Sequence, residues 1–339
     1  MSAALLVLAL RDPASVARLD AAGWNHLLAA ARAERLIGTL AWRLADVAVP
    51  DAARAVLDDA RHDSAREGQQ ALWEADRAVD ALRGTDVKLV VLKGAAYVAA
   101  DLRAGRGRFV GDLDILVPRD AIPVVERALI AAGWEWVKED PYDDAYYRQW
   151  MHELPPMIHV ERDRMIDVHH TILPLTARPT PDAAAMIADA IPITNGLYIL
   201  SPQDRIIHSA AHMLADGDMQ GGLRNLWDVH CLYQEGLEAD ADFHLSLLDA
   251  AARHQLIDAV RRALRLSHRL YGTVGTVDDP LRWTDRLFIA RLLARDGWGR
   301  ETRKALVFGF FVRSHWLRMP PLMLARHLFT KWRKGHRPQ

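Results

Sequence analysis

The chain has 339 residues, half of them hydrophobic, and a formal net charge of −1. That length carries two or three domains with real cores, while the charge balance excludes a global electrostatic footprint for DNA or RNA. The single cysteine, Cys231, excludes a disulfide framework and a cysteine-built zinc site, and a chain without redox staples is expected in a reducing cytoplasm.

The opening "MSAALLVLALRDP" has no basic start and no small-residue cleavage site, and it runs straight into helical patterning. It reads as a mature helix rather than a signal peptide. No stretch approaches ~20 uninterrupted apolar residues, so no transmembrane span is expected. From Ala14 to Arg83, apolar residues return at helical spacing, as in "WNHLLAAARAERLIGTLAWRLAD" with Leu27, Leu28, Ala31, Leu36, Leu40 and Leu44 near one stripe. Three or four packing helices are expected there.

The texture changes at Val87. "VKLVVLKG" is a short β-branched run ended by glycine, a buried strand, and "AAYVAADLRA" is a helix beginning after Gly94. "DLDILV" is a second strand, and "DAIPVVERALIAAG" a helix with Asp120 placed to cap it. "WEWVK" gives a third strand and "EDPYDDAYYRQWMHELPP" a polar, aromatic loop. "MIHVER" and "MIDVHHTI" form a hairpin across Asp163-Arg164. From Ser201 the pattern is helical again, "SPQDRIIHSAAHMLADG" opening with a serine cap and a first-turn proline. The expected class is α+β. An N-terminal helical domain spans 1–84, a small mixed-sheet core 85–200, and a C-terminal helical domain with a basic tail 201–339.

Chemistry concentrates in "RFVGDLDILV". Strand alternation puts Asp112 and Asp114 on one side and Leu113, Ile115 and Val117 on the other. By the same rule Asp167 and His169 share a face of their own strand. Two carboxylates ~5 Å apart repel by roughly 3 kcal/mol at an effective dielectric near 20, and a divalent cation between them removes that cost. Oxygen ligands with room for water and phosphate suit Mg²⁺, and a pair of ions can brace an in-line displacement at phosphorus. In "VVLKGAA" a strand ends in glycine and feeds a helix, a place where backbone N–H groups meet phosphate. Gly94 permits the approach, and Lys93 and Arg108 stand where cations could neutralise a triphosphate. The competing reading is a capped turn with the aspartates paired to Arg106 or Arg108. His169 is either a group that orients a metal ligand or shuttles a proton, or a hydrogen-bonded core histidine.

This order of strand, glycine turn, helix, hydrophobic-Asp-hydrophobic-Asp and later third Asp resembles the nucleotidyltransferase superfamily of DNA polymerase β type. More narrowly, "LKGAAY", "RFVGDLDILV" and "IDVHHTI" resemble the bacterial uncharacterised nucleotidyltransferases called the NTP_transf_5 family. The resemblance covers Leu89 to Leu173 well and extends more loosely to about Tyr233. It implies metal-dependent transfer of a nucleoside monophosphate from an NTP, ATP first, with release of pyrophosphate. Asp112, Asp114 and Asp167 would be catalytic and would hold two Mg²⁺ ions, with Mn²⁺ an alternative. Lys93, Gly94, Arg108 and His169 would bind the co-substrate. The usual Gly-Gly or Gly-Ser pair reads Lys93-Gly94-Ala95 here, and the gap to the first aspartate is slightly long, which leaves phosphate geometry open. The acceptor, a small molecule, peptide or protein, does not follow from the resemblance. Two alternatives stand beside this reading: a catalytically silent nucleotide-binding protein of the same fold, and an RNA-end transferase using a patch at Arg103, Arg106 and Arg108. Near-neutral charge disfavours the latter.

Rival motifs are missing: there is no P-loop, no G-x-G-x-x-G at a strand-helix turn, no H-E-x-x-H and no G-x-S-x-G. Asp204, His208, His212 and Asp216 recur every four residues and line one helix face, and Arg224 and Asp228 are a further i, i+4 pair. Both could be polar stripes or cleft walls. The tail "FGFFVRSHWLRMPPLMLARHLFTKWRKGHRPQ" mixes Arg and Lys with aromatics, a composition suited to peripheral contact with an anionic membrane or to packing within the chain. Oligomeric state is not legible.

Overall fold

A computed structural model of the chain describes residues 3–138, 140–275, 279–318 and 324. Four helices come first: α1 (Ala4–Arg11), α2 (Ala21–Ala33), α3 (Ile37–Arg43) and α4 (Asp51–Ala81). The sheet region follows as β1 (Val90–Val91), α5 (Lys93–Ala99), β2 (Leu113–Leu116), α6 (Ile122–Ala131), β3 (Trp134–Trp136), α7 (Pro141–Trp150), β4 (Met157–His159), β5 (Met165–His169), α8 (Ala183–Ala188), β6 (Ile191–Pro192) and β7 (Tyr198–Ile199). Helices α9 (Pro202–Ala211), α10 (Gly222–Ala239), α11 (Phe243–Arg253), α12 (Ile257–Tyr271), α13 (Asp285–Leu292) and α14 (Lys304–Arg318) complete the chain, with a π-helical turn over His212–Asp216 after α9.

The sheet has the order β3-β4-β5-β2-β1-β7-β6 and is mixed: β2 runs parallel to β5 and antiparallel to β1. Strand β2 is central, and every one of its residues is buried. A strand covered on both faces needs an apolar run, which "LDIL" supplies except at Asp114. Helix α4 lies along α3 and α5. Its buried side is mostly small, with Ala53, Ala60, Ser64, Gly68, Ala71, Ala75 and Ala78, so the neighbouring backbones come close. A Cβ on Gly68 would meet Val98 at 3.3 Å.

The α+β class is as expected, and β4 and β5 form the hairpin, with Asp163 at φ 53° in the left-handed turn position. Three local expectations are corrected. Helix α5 starts at Lys93, so Gly94 lies inside it rather than before it. Asp120 belongs to a short 3-10 turn, Arg119–Ala121, and among the described residues no side chain caps α6. The stretch read as a loop contains α7, because Asp140 accepts from the Tyr142 amide at 2.9 Å and Pro141 fits a first helical turn. Arg148 then ties α7 to Glu126 at 2.8 Å.

Helices from opposite ends of the chain meet. α1 packs on α12, and Arg295 reaches Glu34 at 2.7 Å. No helix among the described residues is long and apolar enough to cross a membrane. Helix α14 carries the basic tail as far as Arg318. Most of the remainder, with Pro320-Pro321, lies outside the described residues.

Candidate active site

Parallel pairing of β2 with β5 sets Leu113 beside Ile166 and Asp114 beside Asp167. Asp112 stands one residue upstream of β2, on the Asp114 side of the alternation. Each of the three offers a carboxylate oxygen, and these oxygens lie within 4.8 Å of one another. Their surroundings are graded: Asp112 is exposed, Asp167 part-buried and Asp114 only 5% exposed.

Asp114 is held by two nitrogen donors on the same oxygen. Lys93 Nζ donates to Oδ1 at 2.7 Å, and His169 Nε2 stands 3.0 Å from it. Burial alone would raise this carboxyl, but the Lys93 charge and the His169 and Lys93 bonds outweigh it and keep it below the usual range. Lys93 sits at φ 48°, a left-handed conformation that costs a side-chain-bearing residue ~1 kcal/mol or more. From this first position of α5 the ammonium reaches Asp114.

Asp167 has the opposite environment. Burial, then the charges of Asp114 and Glu153, push its carboxyl up to about 7. Its Oδ1 is buried with no hydrogen-bond partner among the described residues. A buried, orphaned carboxylate oxygen next to two further carboxylates is what a divalent cation with oxygen ligands would satisfy, so the residues fit such an ion.

Beside the aspartates opens a cleft of about 500 Å³, between the sheet end and the α9–α10 region. Its wall contains a charge knot. Arg108 donates to Asp228, Arg224 approaches the same carboxylate at 3.2 Å, and Arg224 also donates to Thr39 and to the Ala104 carbonyl, the latter at 2.8 Å. Two guanidiniums on one carboxylate leave a net positive charge. Arg108 and Arg224 each keep a buried Nε without a hydrogen-bond partner among the described residues. Arg108 lies over the Tyr97 ring, 5.4 Å from its centroid.

Of the expected site residues, Lys93, Gly94, Arg108, Asp112 and Asp114 line the cleft, and Asp167 and His169 stand beside Asp114. Lys93 lines the cleft but spends its ammonium on Asp114. The space a Cβ on Gly94 would take is occupied by Arg108 Nε, 2.6 Å away, so this glycine makes room for an arginine. Arg224 and Asp228 both face the cleft. His208 and His212 also line it, whereas Asp204 turns to His254 at 3.2 Å, and the Asp216 side chain lies outside the described set. Of the three arginines counted as an RNA patch, Arg103 forks onto Glu238 at 2.7 Å and Arg106 lies over Trp42, both lining one hollow, while Arg108 donates to Asp228.

Sequence reasoning missed His152 and Glu153. They flank His169, with Glu153 Oε2 3.3 Å from His169 Nδ1 and the two imidazoles stacked at 5.3 Å. Both lie in the stretch read as a loop, where no periodicity marks them. A larger hollow of about 800 Å³ lies elsewhere, bounded by Pro118, His170, Leu173, Pro181 and Ile187. It is mostly apolar and contains none of the three aspartates, so the chemistry belongs to the smaller cleft.

A mixed sheet that pairs an acid-x-acid strand with a third acid on its parallel neighbour is consistent with the core of a nucleotidyltransferase. The family described as uncharacterised nucleotidyltransferases matches residues 20–272, most of the chain, and this chain belongs to it. No curated protein matches the chain.

Proposed function

We propose that the protein transfers a nucleoside monophosphate from an NTP, ATP in the first instance, to a small-molecule, peptide or protein acceptor with release of pyrophosphate. The observation that carries this reading is the convergence of Asp112, Asp114 and Asp167, their oxygens within 4.8 Å, with the first two lining a cleft that has a cationic wall. Asp112, Asp114 and Asp167 would hold Mg²⁺, which supplies charge neutralisation at the transferring phosphoryl group.

The chain's own groups have separable tasks. Lys93 and His169 fix the rotamer and the charge of Asp114. Asp167, whose Oδ1 has no hydrogen-bond partner among the described residues, would take the proton of the acceptor hydroxyl or amine as that atom bonds to the α-phosphorus and the bond to the bridging oxygen breaks. The Arg108–Arg224–Asp228 knot would offer surplus positive charge to the departing pyrophosphate. Its buried position makes this charge more effective than a surface lysine would be.

The test is transfer of label from α-labelled NTPs to components of a cell extract in the presence of Mg²⁺. Labelling that needs Mg²⁺ and is lost in Asp112→Asn supports the reading. An Asp112→Asn protein that labels acceptors as well as the parent overturns it.

A further inference from the structure

We propose a second metal site, built by His152, Glu153 and His169 and suited to a transition dication such as Zn²⁺, behind the aspartate cluster. The three residues offer ligand atoms within 4.8 Å of one another. His152 is 8% and His169 2% exposed, and Glu153 is part-buried. Glu153 Oε2 is the hub, 3.3 Å from His169 Nδ1 and 3.7 Å from His152 Nε2.

The 3.3 Å contact is not a hydrogen bond: His169 Nδ1 is buried without a hydrogen-bond partner among the described residues. Two ligands of a tetrahedral ion with bonds of ~2.0 Å stand about 3.3 Å apart, the spacing of His169 Nδ1 and Glu153 Oε2, with His152 Nε2 slightly farther from Glu153 at 3.7 Å. The arrangement is held by the backbone. Glu153 and His169 form an antiparallel bridge, the Leu154 amide donates to the Val168 carbonyl at 2.9 Å, and the His170 amide donates to the His152 carbonyl at 2.9 Å. Ligand positions fixed by strand-like pairing need little reorganisation to bind an ion.

Donor chemistry separates this site from the aspartate cluster. Three carboxylates suit a hard cation with retained water, whereas two imidazoles and one carboxylate suit zinc and its transition-metal neighbours. An ion on His169 Nδ1 requires the ring proton on Nε2, the nitrogen facing Asp114 at 3.0 Å. The result is a carboxylate–histidine–metal chain that fixes the tautomer of His169 and the orientation of Asp114. The site stands independently of the transfer reaction.

The experiment uses the full chain, stripped with a chelator and titrated with Zn²⁺ and with Co²⁺ in millimolar Mg²⁺. Bound metal is counted by mass spectrometry, and Co²⁺ coordination is read from visible absorption. One tightly held ion is expected, with the absorption of a nitrogen-ligated tetrahedral centre. The double variant Asp112→Asn/Asp167→Asn keeps it. His152→Ala and Glu153→Gln each weaken it by at least about tenfold. Glu153→Gln, at a part-buried position and checked by circular dichroism, guards against a folding failure of His152→Ala. Absence of a tight ion, or an ion that depends on Asp112 and Asp167 instead, overturns the site.

Discussion

Asp114 and Asp167 are register partners on the parallel pair β2 and β5, and their carboxyls are driven in opposite directions. Asp114 is held below the usual range by Lys93 and His169 against the effect of burial, whereas burial and neighbouring charge push Asp167 up to about 7. Neighbouring acids with separated affinities for a proton are the arrangement that gives each a different task.

The first prediction concerns pH. In metal-stripped protein, folded Asp167 keeps a proton that the unfolded chain releases near pH 4. Its contribution therefore favours folding below about pH 4 and is lost as pH rises to about 7. The buried His208 and the part-buried His212, both held below their ordinary value chiefly by desolvation, act in the opposite sense below about pH 6.5. The comparison is thus between variants: the melting midpoint of Asp167→Asn should fall less than that of the parent between pH 4 and pH 7. Parallel curves would assign the titration elsewhere.

Mg²⁺ with an NTP should raise the midpoint of the parent by relieving carboxylate repulsion, with ~2.7 kcal/mol of stabilisation at a hundredfold excess over Kd. Asp112→Asn should lose most of that rise. Because Asp112 is exposed, its substitution should change the ligand-free stability by no more than about 0.5 kcal/mol. Scanning calorimetry with and without ligand separates the two effects.

The parts of the site legible in the sequence were those with a short period. Alternation in "DLDILV" and "MIDVHH" placed Asp112, Asp114, Asp167 and His169 on their faces, and the paired strands bring them together. What stayed hidden depends on partners far along the chain. That Lys93 would serve Asp114, and that Gly94 would accommodate Arg108, follows from packing that no local pattern encodes. Helix α7 escaped because its composition is polar and aromatic, so its stability rests on the Asp140 cap and the bonds from Arg148 rather than on an apolar stripe. Glu153 was missed with it.

Gly94→Ala should behave as an arginine mutant. The added methyl would stand 2.6 Å from Arg108 Nε and push that side chain off Asp228. A loss of about 1–3 kcal/mol in urea unfolding is expected, accompanied by weaker NTP binding. Unchanged NTP affinity would detach Arg108 from the nucleotide.

Asp228→Asn should be among the most damaging single changes in the cleft wall. It leaves Arg108 and Arg224 buried without their shared counter-charge, at a cost of about 3–5 kcal/mol by chemical denaturation. Arg224→Lys should cost less, because Arg108 still neutralises the carboxylate, while losing the contacts to Thr39 and the Ala104 carbonyl. A reversed ranking would mean that the knot is not the unit holding this wall.

The cleft takes Ala33 and Arg35 from near one end of the chain, Lys93 to Asp114 from the sheet, His208 to Asp228 beyond it, and Arg295 and Arg318 from near the other end. A ribosome would have to pass Arg295 and Arg318 before these walls could close on a ligand. Nucleotide cannot then act as an early template for folding, and prematurely terminated chains would carry the acidic strands without a pocket to use them.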